Sequence, residues 1–521
     1  MGVANAADKT KIVADPNAEY ESMKDIWQRS RAVCSGERYV KNLDYYIDVH
    51  YYTNLLIPFS PSMSDAQYAF YKAEAELPGI VSQFARMLVG GLLRKEPLLE
   101  LPDSVPEGTM DWIMNNFTQD NSTITSFLDV GLWEEMQTSR AWVYVDHPVL
   151  TDEEAGTISQ EEMFERAPYP VLWKAENIIN WKTKTDVKGN SILEQLIVKG
   201  TVARYPEDNE FHPNYISTVF VHELVGGLYQ IRVFEKVVEE SKVPMVSGTK
   251  FEDNSKTMDK YVLTETKTNI FANNERLTII PAWPLNGSIS ITEPILSPII
   301  DKEVALYNKL SRRNHLLYGA STYTPIIQSD MSPEDFKKIV DAGLGTWLHL
   351  GVDDKATVLE TPTAALKDME TAIASAIEEM AKLGIRMLSP ESAQSGVALE
   401  IRNAAQNAQL GSLNNKISMI MSKVIAFMIE WRTGEQIKDS EVKFMLSADF
   451  NPIPLGADWL RLATEWYETG LIPRSIWLQI LKQNDMIAPD YDDEEGVKEI
   501  DEDELINKEE EEDPEFFENV K

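Results

Sequence analysis

One cysteine, Cys34, stands in 521 residues. That excludes an intramolecular disulfide and any cysteine-based metal cluster, and it fits folding in a reducing compartment. No run approaches about 18 consecutive apolar residues, so no segment reads as a membrane-spanning helix. The opening Met-Gly-Val-Ala-Asn-Ala has no hydrophobic signal core, and Ala6 stands where a myristoylation signal needs Ser or Thr. The six histidines, at 50, 147, 212, 222, 315 and 349, are scattered and form no ligand cluster.

Catalytic motifs are missing as well. No phosphate-binding glycine loop is present, the nearest approach being Gly343-Leu-Gly345, which lacks the third glycine. His222-Glu223 opens like a zinc-protease helix, but Gly226 occupies the second histidine position and the surrounding pattern alternates as a strand does. Ser247-Gly-Thr-Lys250 has a Ser-x-x-Lys spacing inside a polar loop without the companion acylation motifs. The chain therefore reads as a protein that is not an enzyme, with no cofactor and no metal.

Positive charge is also scarce, with 49 Lys and Arg against 84 Asp and Glu and a formal net charge of −35. The stretch Asp490–Lys521 holds 17 acids and 3 bases, leaving 67 acids against 46 bases in the rest, so the body is acidic too. Proteins that track the DNA backbone carry an excess of Lys and Arg, so any contact with DNA is expected to be loose.

What is present is a folded chain: 43% hydrophobic residues and twelve Trp, long enough for several structural regions because single cores stop growing near roughly 250 to 300 residues. From Asn17 to Tyr52 the spacing suggests helix with short breaks, and Pro58–Ser64 reads as a loop. Asp65–Leu93 is a helical pattern interrupted at Pro78-Gly79, with Ile80, Phe84, Met87 or Leu88, and Leu92 along one face. A helix over Thr125–Glu135 precedes the β-type run Ala141–Val145. Further strands are expected at Val171–Trp173 and Ile192–Ala203. Ile216–Val225 and Leu228–Phe234 form a hairpin around Gly226-Gly227. Lys236–Glu275 reads as a polar surface excursion before a strand at Arg276–Ala282.

The pattern changes at Glu293-Pro294. A long helix runs to Tyr318 with Ile295, Ile299, Val304, Tyr307, Leu310 and Leu317 at helical spacing, and Arg312, Arg313 and His315 near its end. Short β pieces at Tyr323–Gln328, Thr346–Leu350 and Ala356–Leu359 surround a small helix opened by Ser332-Pro333-Glu334. A second long helix over Ala365–Leu388 places Met369, Ile373, Ile377, Met380 and Leu383 or Gly384 inward. The third, Val397–Trp431, puts Leu410, Leu413, Ile417, Met421, Val424, Met428 and Trp431 on one face, with Gly411 weakening it locally into a kink. A strand at Val442–Leu446 and short helices at Ala457–Tyr467 and Pro473–Leu481 follow.

One window has an unusual charge content. Between Glu400 and Glu430 there is no acid, and the only charges are Arg402, Lys416 and Lys423. In their place stand the carboxamides Asn403, Gln406, Asn407, Gln409, Asn414 and Asn415. This segment tolerates polarity but excludes negative charge.

The order of these elements resembles the portal, or head-to-tail connector, proteins of tailed double-stranded DNA phages. Tyr71–Ile80 (YKAEAELPGI), Gly90–Pro97 (GGLLRKEP) and Ser395–Leu399 (SGVAL) are similar to a phage family long described as of unknown function and regarded as portal. The resemblance implies an α+β portal-type fold with a wing over 1–292, a first stem helix over 293–318, a clip over 319–364 and a return stem helix over 365–388. It further implies a tunnel loop over 389–396, a long kinked helix over 397–432, a closing wing and crown segment over 433–489, and an acidic tail over 490–521.

It also implies a function: a homo-oligomeric ring of about twelve copies at one capsid vertex, through which double-stranded DNA is packaged, retained and ejected. The implied partners are the terminase large subunit, a head–tail adaptor and the major capsid protein, with no membrane. The implied location is the virion portal vertex, reached from the host cytoplasm during assembly. Ser389, Glu391, Ser392, Gln394 and Ser395 would then face the duplex, with Arg402 and Asn403 just behind. A pore wall of like charge would bind passing phosphate weakly and let the polymer slide. The alternative is another acidic virion protein, a scaffold or adaptor without a DNA channel.

Overall fold

The computed structural model describes residues 13–41, 54–147, 167–185, 191–205, 211–237, 260–268, 271–272, 275–321, 324–328, 332–342, 355–359, 364–382, 396–434 and 437–446, with isolated positions elsewhere up to 481. The chain divides into two compact units, Met1–Ser447 and Ala448–Lys521.

In the first unit, Asn17 opens helix α1 (Ala18–Ser35), its Oδ1 accepting from the backbone N–H of Tyr20 at 2.8 Å. A short α2 (Glu37–Lys41) follows. Ser64 and Gln67 form a reciprocal capping box for α3 (Asp65–Glu74). The Pro78-Gly79 break then separates α3 from α4 (Ile80–Leu92), with Gly79 in the left-handed region at φ +72°. The buried seam of α4 is Val81, Phe84, Ala85, Val89 and Leu92, rotated slightly from the expected face, so that Ile80 is only half-buried. Next come β1 (Leu98–Glu100), α5 (Thr109–Asn115), α6 (Ile124–Thr138) and β2 (Trp142–Asp146).

From there the chain is mostly antiparallel sheet. β3 (Tyr169–Trp173) pairs with β2, while β4 (Ile178–Thr185), β5 (Ser191–Arg204), β6 (Asn214–Val225), β7 (Leu228–Val237) and β8 (Lys260–Lys267) form a five-stranded sheet in sequence order. The β6–β7 hairpin closes with Val225 opposite Leu228, and Gly226 and Gly227 both take positive φ, +62° and +83°, as a two-residue primed turn requires. The segment expected as a polar excursion supplies β8. Only Tyr261 of that edge strand is buried, so its sequence carries almost no inward apolar signal.

β9 (Phe271–Ala272) pairs with β10 (Glu275–Arg276), and β11 (Ala282–Pro284) joins β2. The single strand expected over 276–282 is thus split between β10 and β11, with Pro281, which has no N–H to donate, ahead of β11. The sheet packs on α1 through Tyr20, Trp27, Ile197, Val219, Val221 and Phe234. Beside this core Arg31 is buried, donating from Nη2 to Glu134 Oε2 at 2.6 Å, from Nε to Glu176 Oε1 at 2.5 Å and from Nη1 to Gln137 Oε1 at 2.8 Å. Burial alone would lower its pKa, but the Glu176 and Glu134 carboxylates outweigh it and the guanidinium is held charged.

α7 (Ser297–Ser321) begins later than the expected Glu293, because Pro294 sits in a turn whose carbonyl accepts from Ser297, and Pro298 suits a first helical turn. β12 (Thr324–Gln328), α8 (Pro333–Ala342) and β13 (Lys355–Leu359) follow, with β12 and β13 paired antiparallel from Thr324 opposite Leu359 to Gln328 opposite Lys355. The expected strand Thr346–Leu350 lies outside the described residues. α9 (Ala364–Lys382) leads to the 38-residue α10 (Gly396–Thr433), which stays helical through Gly411. β14 (Lys443–Met445) closes the unit by pairing with β1. In the second unit, Tyr467 stacks on Trp477 with ring centroids 4.9 Å apart, and the acidic stretch from Asp490 lies outside the described residues.

Candidate functional site

α7 and α9 run antiparallel. Lys302, early in α7, pairs with Glu379, late in α9, at 2.6 Å. Arg313, late in α7, pairs with Glu370, early in α9, at 3.1 Å. The chain between them carries β12, α8 and β13, so a helical hairpin bears the small antiparallel β pair at one end. Ile373, Ala376 and Met380 form the buried seam of α9. Ile377, expected inward, is exposed instead, because the 3–4 spacing of the seam passes through Ala376 and leaves position 377 on its flank.

The start of α7 is fastened into the α+β body by buried polar side chains. Glu303 accepts from the backbone N–H of Ile80 at 2.9 Å and of Val81 at 2.7 Å, capping α4, which has no side-chain cap of its own. A carboxylate suits a helix N-terminus, whose first N–H groups lack partners. Burial nevertheless pushes the Glu303 carboxyl up, opposed by those N–H donors. Five residues on, Asn308 Oδ1 accepts from Ile57 N at 2.8 Å and its Nδ2 donates to Leu55 O at 3.0 Å.

The C-terminal half of α10 lies in the same body. Leu413, Ile417, Met421, Val424, Met428 and Trp431 are buried, as their spacing implies, and Phe427 bridges Trp283 and Trp431 with ring centroids 5.2 and 5.3 Å away. Polar residues one turn apart face β14. Asn414 Nδ2 donates to Leu446 O at 3.3 Å, Ser418 Oγ accepts from Leu446 N at 3.1 Å, and Ser422 Oγ accepts from Phe444 N at 2.9 Å. At least one carboxamide of the acid-free window therefore serves an internal strand.

Ser389, Glu391, Ser392, Gln394 and Ser395 lie outside the described residues, and they follow the last described turn of α9 and precede α10. Arg402 and Asn403 are helical residues of α10, their side chains outside the described set. The Lys302–Glu379 pair puts the described end of α9 beside the first turns of α7, at the end of the hairpin away from β12 and β13.

Among the described residues no group of three or more His, Cys, Asp or Glu is arranged to hold a metal ion. His222 and Glu223 point to opposite faces of β6: His222 Nδ1 lies 2.6 Å from the Tyr229 hydroxyl, while Glu223 accepts from Arg232 Nε at 2.7 Å. Burial pushes the imidazole down to about 3, so it stays neutral. An open cleft of about 720 Å³ beside α5 is lined by Glu96, Met110, Asp111, Met114, Thr123 and Thr125. No described helix is long and apolar enough to cross a membrane.

Residues 296–432 match a family model described as a domain of unknown function, DUF4055. No curated protein matches the sequence. Among solved structures, the chain is similar to one from the virion of a native gene transfer agent particle, at 11% identity and TM-score 0.38, covering 76% of this chain and 88% of the other. It is also similar to chains from the neck of the empty particle, computed with C6 symmetry (11%, TM-score 0.38, 77% and 89%), and of the native particle, computed with C12 symmetry (10%, TM-score 0.39, 77% and 89%).

Proposed function

We propose that this chain is a structural protein of the head–tail junction of a tailed phage particle, and within that class the portal subunit that rings the DNA channel. The observation that carries the reading is the antiparallel α7–α9 hairpin, tied by Lys302–Glu379 and Arg313–Glu370 and ending in the β12–β13 pair. Its two long helices give a stiff stem, its tip a small clip, and α10 returns the chain to the α+β wing. The matched span 296–432 coincides with this module.

In this reading DNA passes through a ring of about twelve copies, with the 389–396 loop nearest the duplex and Arg402 and Asn403 behind it. The acid excess suits such a channel. Few Lys or Arg means few phosphate contacts, and the polymer is not held in place. Terminase, adaptor and capsid protein would dock on the outside of the same ring.

Native mass measurement and negative-stain imaging of the purified chain test this. A closed ring of about a dozen copies with a central hole is expected. A protein that stays monomeric at micromolar concentration would overturn it.

A further inference from the structure

The entry into α7 is clamped at one corner of the α+β body. Between α6 and β2 the chain turns at Ser139, Arg140 and Ala141, all buried, and Ser139 takes a left-handed backbone at φ +50° that residues other than glycine rarely adopt. Each of these residues holds the segment that runs from β11 to α7. Leu285 N donates to Ala141 O at 2.8 Å, Asn286 Nδ2 to Ser139 O at 2.6 Å, Arg140 Nη1 to Ile289 O at 3.0 Å, and Ile295 N to Ser139 Oγ at 3.1 Å.

The same corner holds Glu135, which is 3% exposed and whose Oε2 accepts from Ala141 N at 2.9 Å. Burial pushes its carboxyl up to about 7, opposed by the Ala141 N–H, the Asn286 side chain, Lys416 of α10 and Arg140. Arg140 is itself engaged by Ile289 O and by the Trp181 ring 4.2 Å away, and Lys416 is exposed. The other elements add no charge at this point: segment 285–292 contains no titratable residue, and Arg31 and Arg86 engage Glu134 and the Trp133 ring.

The segment clamped over this corner is thin. Gly287 and Ser290 are exposed, and Asn286, Ser288 and Ile289 are only half-buried. A carboxylate that loses its proton in a dry interior lacks the hydration that stabilises its charge, and a surface segment beside it is the layer that can move to admit water. Lifting that layer breaks the clamp and leaves the five-stranded sheet intact, a partial opening rather than unfolding. We propose that Glu135 is a proton-operated catch on the entry to α7: neutral, it leaves segment 285–295 clamped to the Ser139–Ala141 corner, and ionised, it is hydrated by the release of that segment. The device works within one chain, with or without a ring.

A carboxyl raised in the closed state keeps the clamp shut below its ordinary value, about 4.5, and favours opening as pH rises, by about tenfold per unit until the effect levels off near 7. Hydrogen exchange of the full chain, corrected for the intrinsic effect of pH, tests this on peptides carrying the Leu285 and Ile295 amides, with β5–β6 peptides for comparison. In wild type these amides should exchange faster than the sheet, with less dependence on urea, and lose about tenfold in protection per unit between about pH 5 and 7. In Glu135→Gln, which keeps an acceptor for Ala141 N, that pH dependence should vanish. Ser139→Ala should lower protection at Ile295 at every pH and keep the slope, and unchanged protection there would overturn the clamp. Protection independent of pH in wild type, or an equal slope in Glu135→Gln, would overturn the catch. Exchange of Leu285 and Ile295 only together with the sheet would mean global unfolding and would overturn the local release.

Discussion

The carboxylate of Glu303 accepts a 2.7 Å hydrogen bond from the backbone N–H of Val81, 222 positions earlier in the chain. The first turn of α4 is thus completed by a side chain of α7, which anchors α7 in the α+β body. Glu303→Gln keeps one acceptor oxygen but turns an NH2 toward the second N–H, so it should cost part of what complete removal costs. Glu303→Ala leaves buried N–H groups without an acceptor and should cost roughly 1–3 kcal/mol in urea unfolding. Equal effects of the two substitutions would refute the cap.

Glu135 supplies a pH dependence. It is fully buried, accepts from Ala141 N at 2.9 Å, and burial raises its pKa to about 7, with the Ala141 N–H, Asn286, Lys416 and Arg140 opposing. A carboxyl raised in the folded state contributes stability that is full below its unfolded pKa, about 4.5, and is lost as pH rises through about 7. The size is on the order of 3 kcal/mol at about 1.4 per unit. Glu135→Gln should remove that slope between pH 4.5 and 7 relative to wild type, as measured by urea unfolding at several pH values. Parallel pH profiles for the two proteins would show that Glu135 is not the titrating group.

The Ser418 and Ser422 hydroxyls act as acceptors for the side of β14 turned away from β1. Ser418→Ala and Ser422→Ala each strand one amide, Leu446 N or Phe444 N, at about 1–3 kcal/mol. Hydrogen exchange should report it locally, with the affected amide exchanging faster and the β5–β6 amides unchanged.

Arg31→Ala leaves Glu134 without its 2.6 Å partner in the interior and should cost about 3–5 kcal/mol. Arg31→Lys should recover little of it, since an ammonium cannot serve Glu134, Glu176 and Gln137 together in the fork geometry of a guanidinium. Thermal melts of the three proteins decide this, and a lysine variant as stable as wild type would count against the network.

Removing residues 389–395 should spare ring assembly and impair retention of packaged DNA. A packaging assay with nuclease-protected DNA as readout checks it. Full retention by an assembled deletion ring would take the loop out of the channel.

The sequence was most legible where one face of a regular element meets the core. The inward set of α10 from Leu413 to Trp431 and the Gly226-Gly227 turn both follow from local periodicity and backbone freedom. β8 was not legible, because an edge strand with only Tyr261 buried looks like a polar loop. Ile377 misled for the opposite reason, an apolar residue at near-core spacing that faces outward. Contacts such as Glu303 with Ile80, or Asn414 with Leu446, join parts of the chain that no local pattern connects. For the candidate loop, a run of small residues between two helical patterns was visible in the chain, and so was a strand at Val442–Leu446, but not that Asn414 would serve its end.

Arg313 and Glu370 are 57 positions apart in the chain and 3.1 Å apart in space. Past His315 and Tyr318, which pack on Phe59 and Phe70, the chain through β12, α8 and β13 leaves and re-enters at this end of the hairpin, like a cassette on a two-pronged mount. Closing a longer stretch across such a mount adds only about 0.6 kcal/mol per doubling of its length. A change of length in the tip between β12 and β13 is therefore expected to leave the register of α7 and α9 in place. Within one architecture, the sequence of the tip can vary while the two helices that carry it stay as they are.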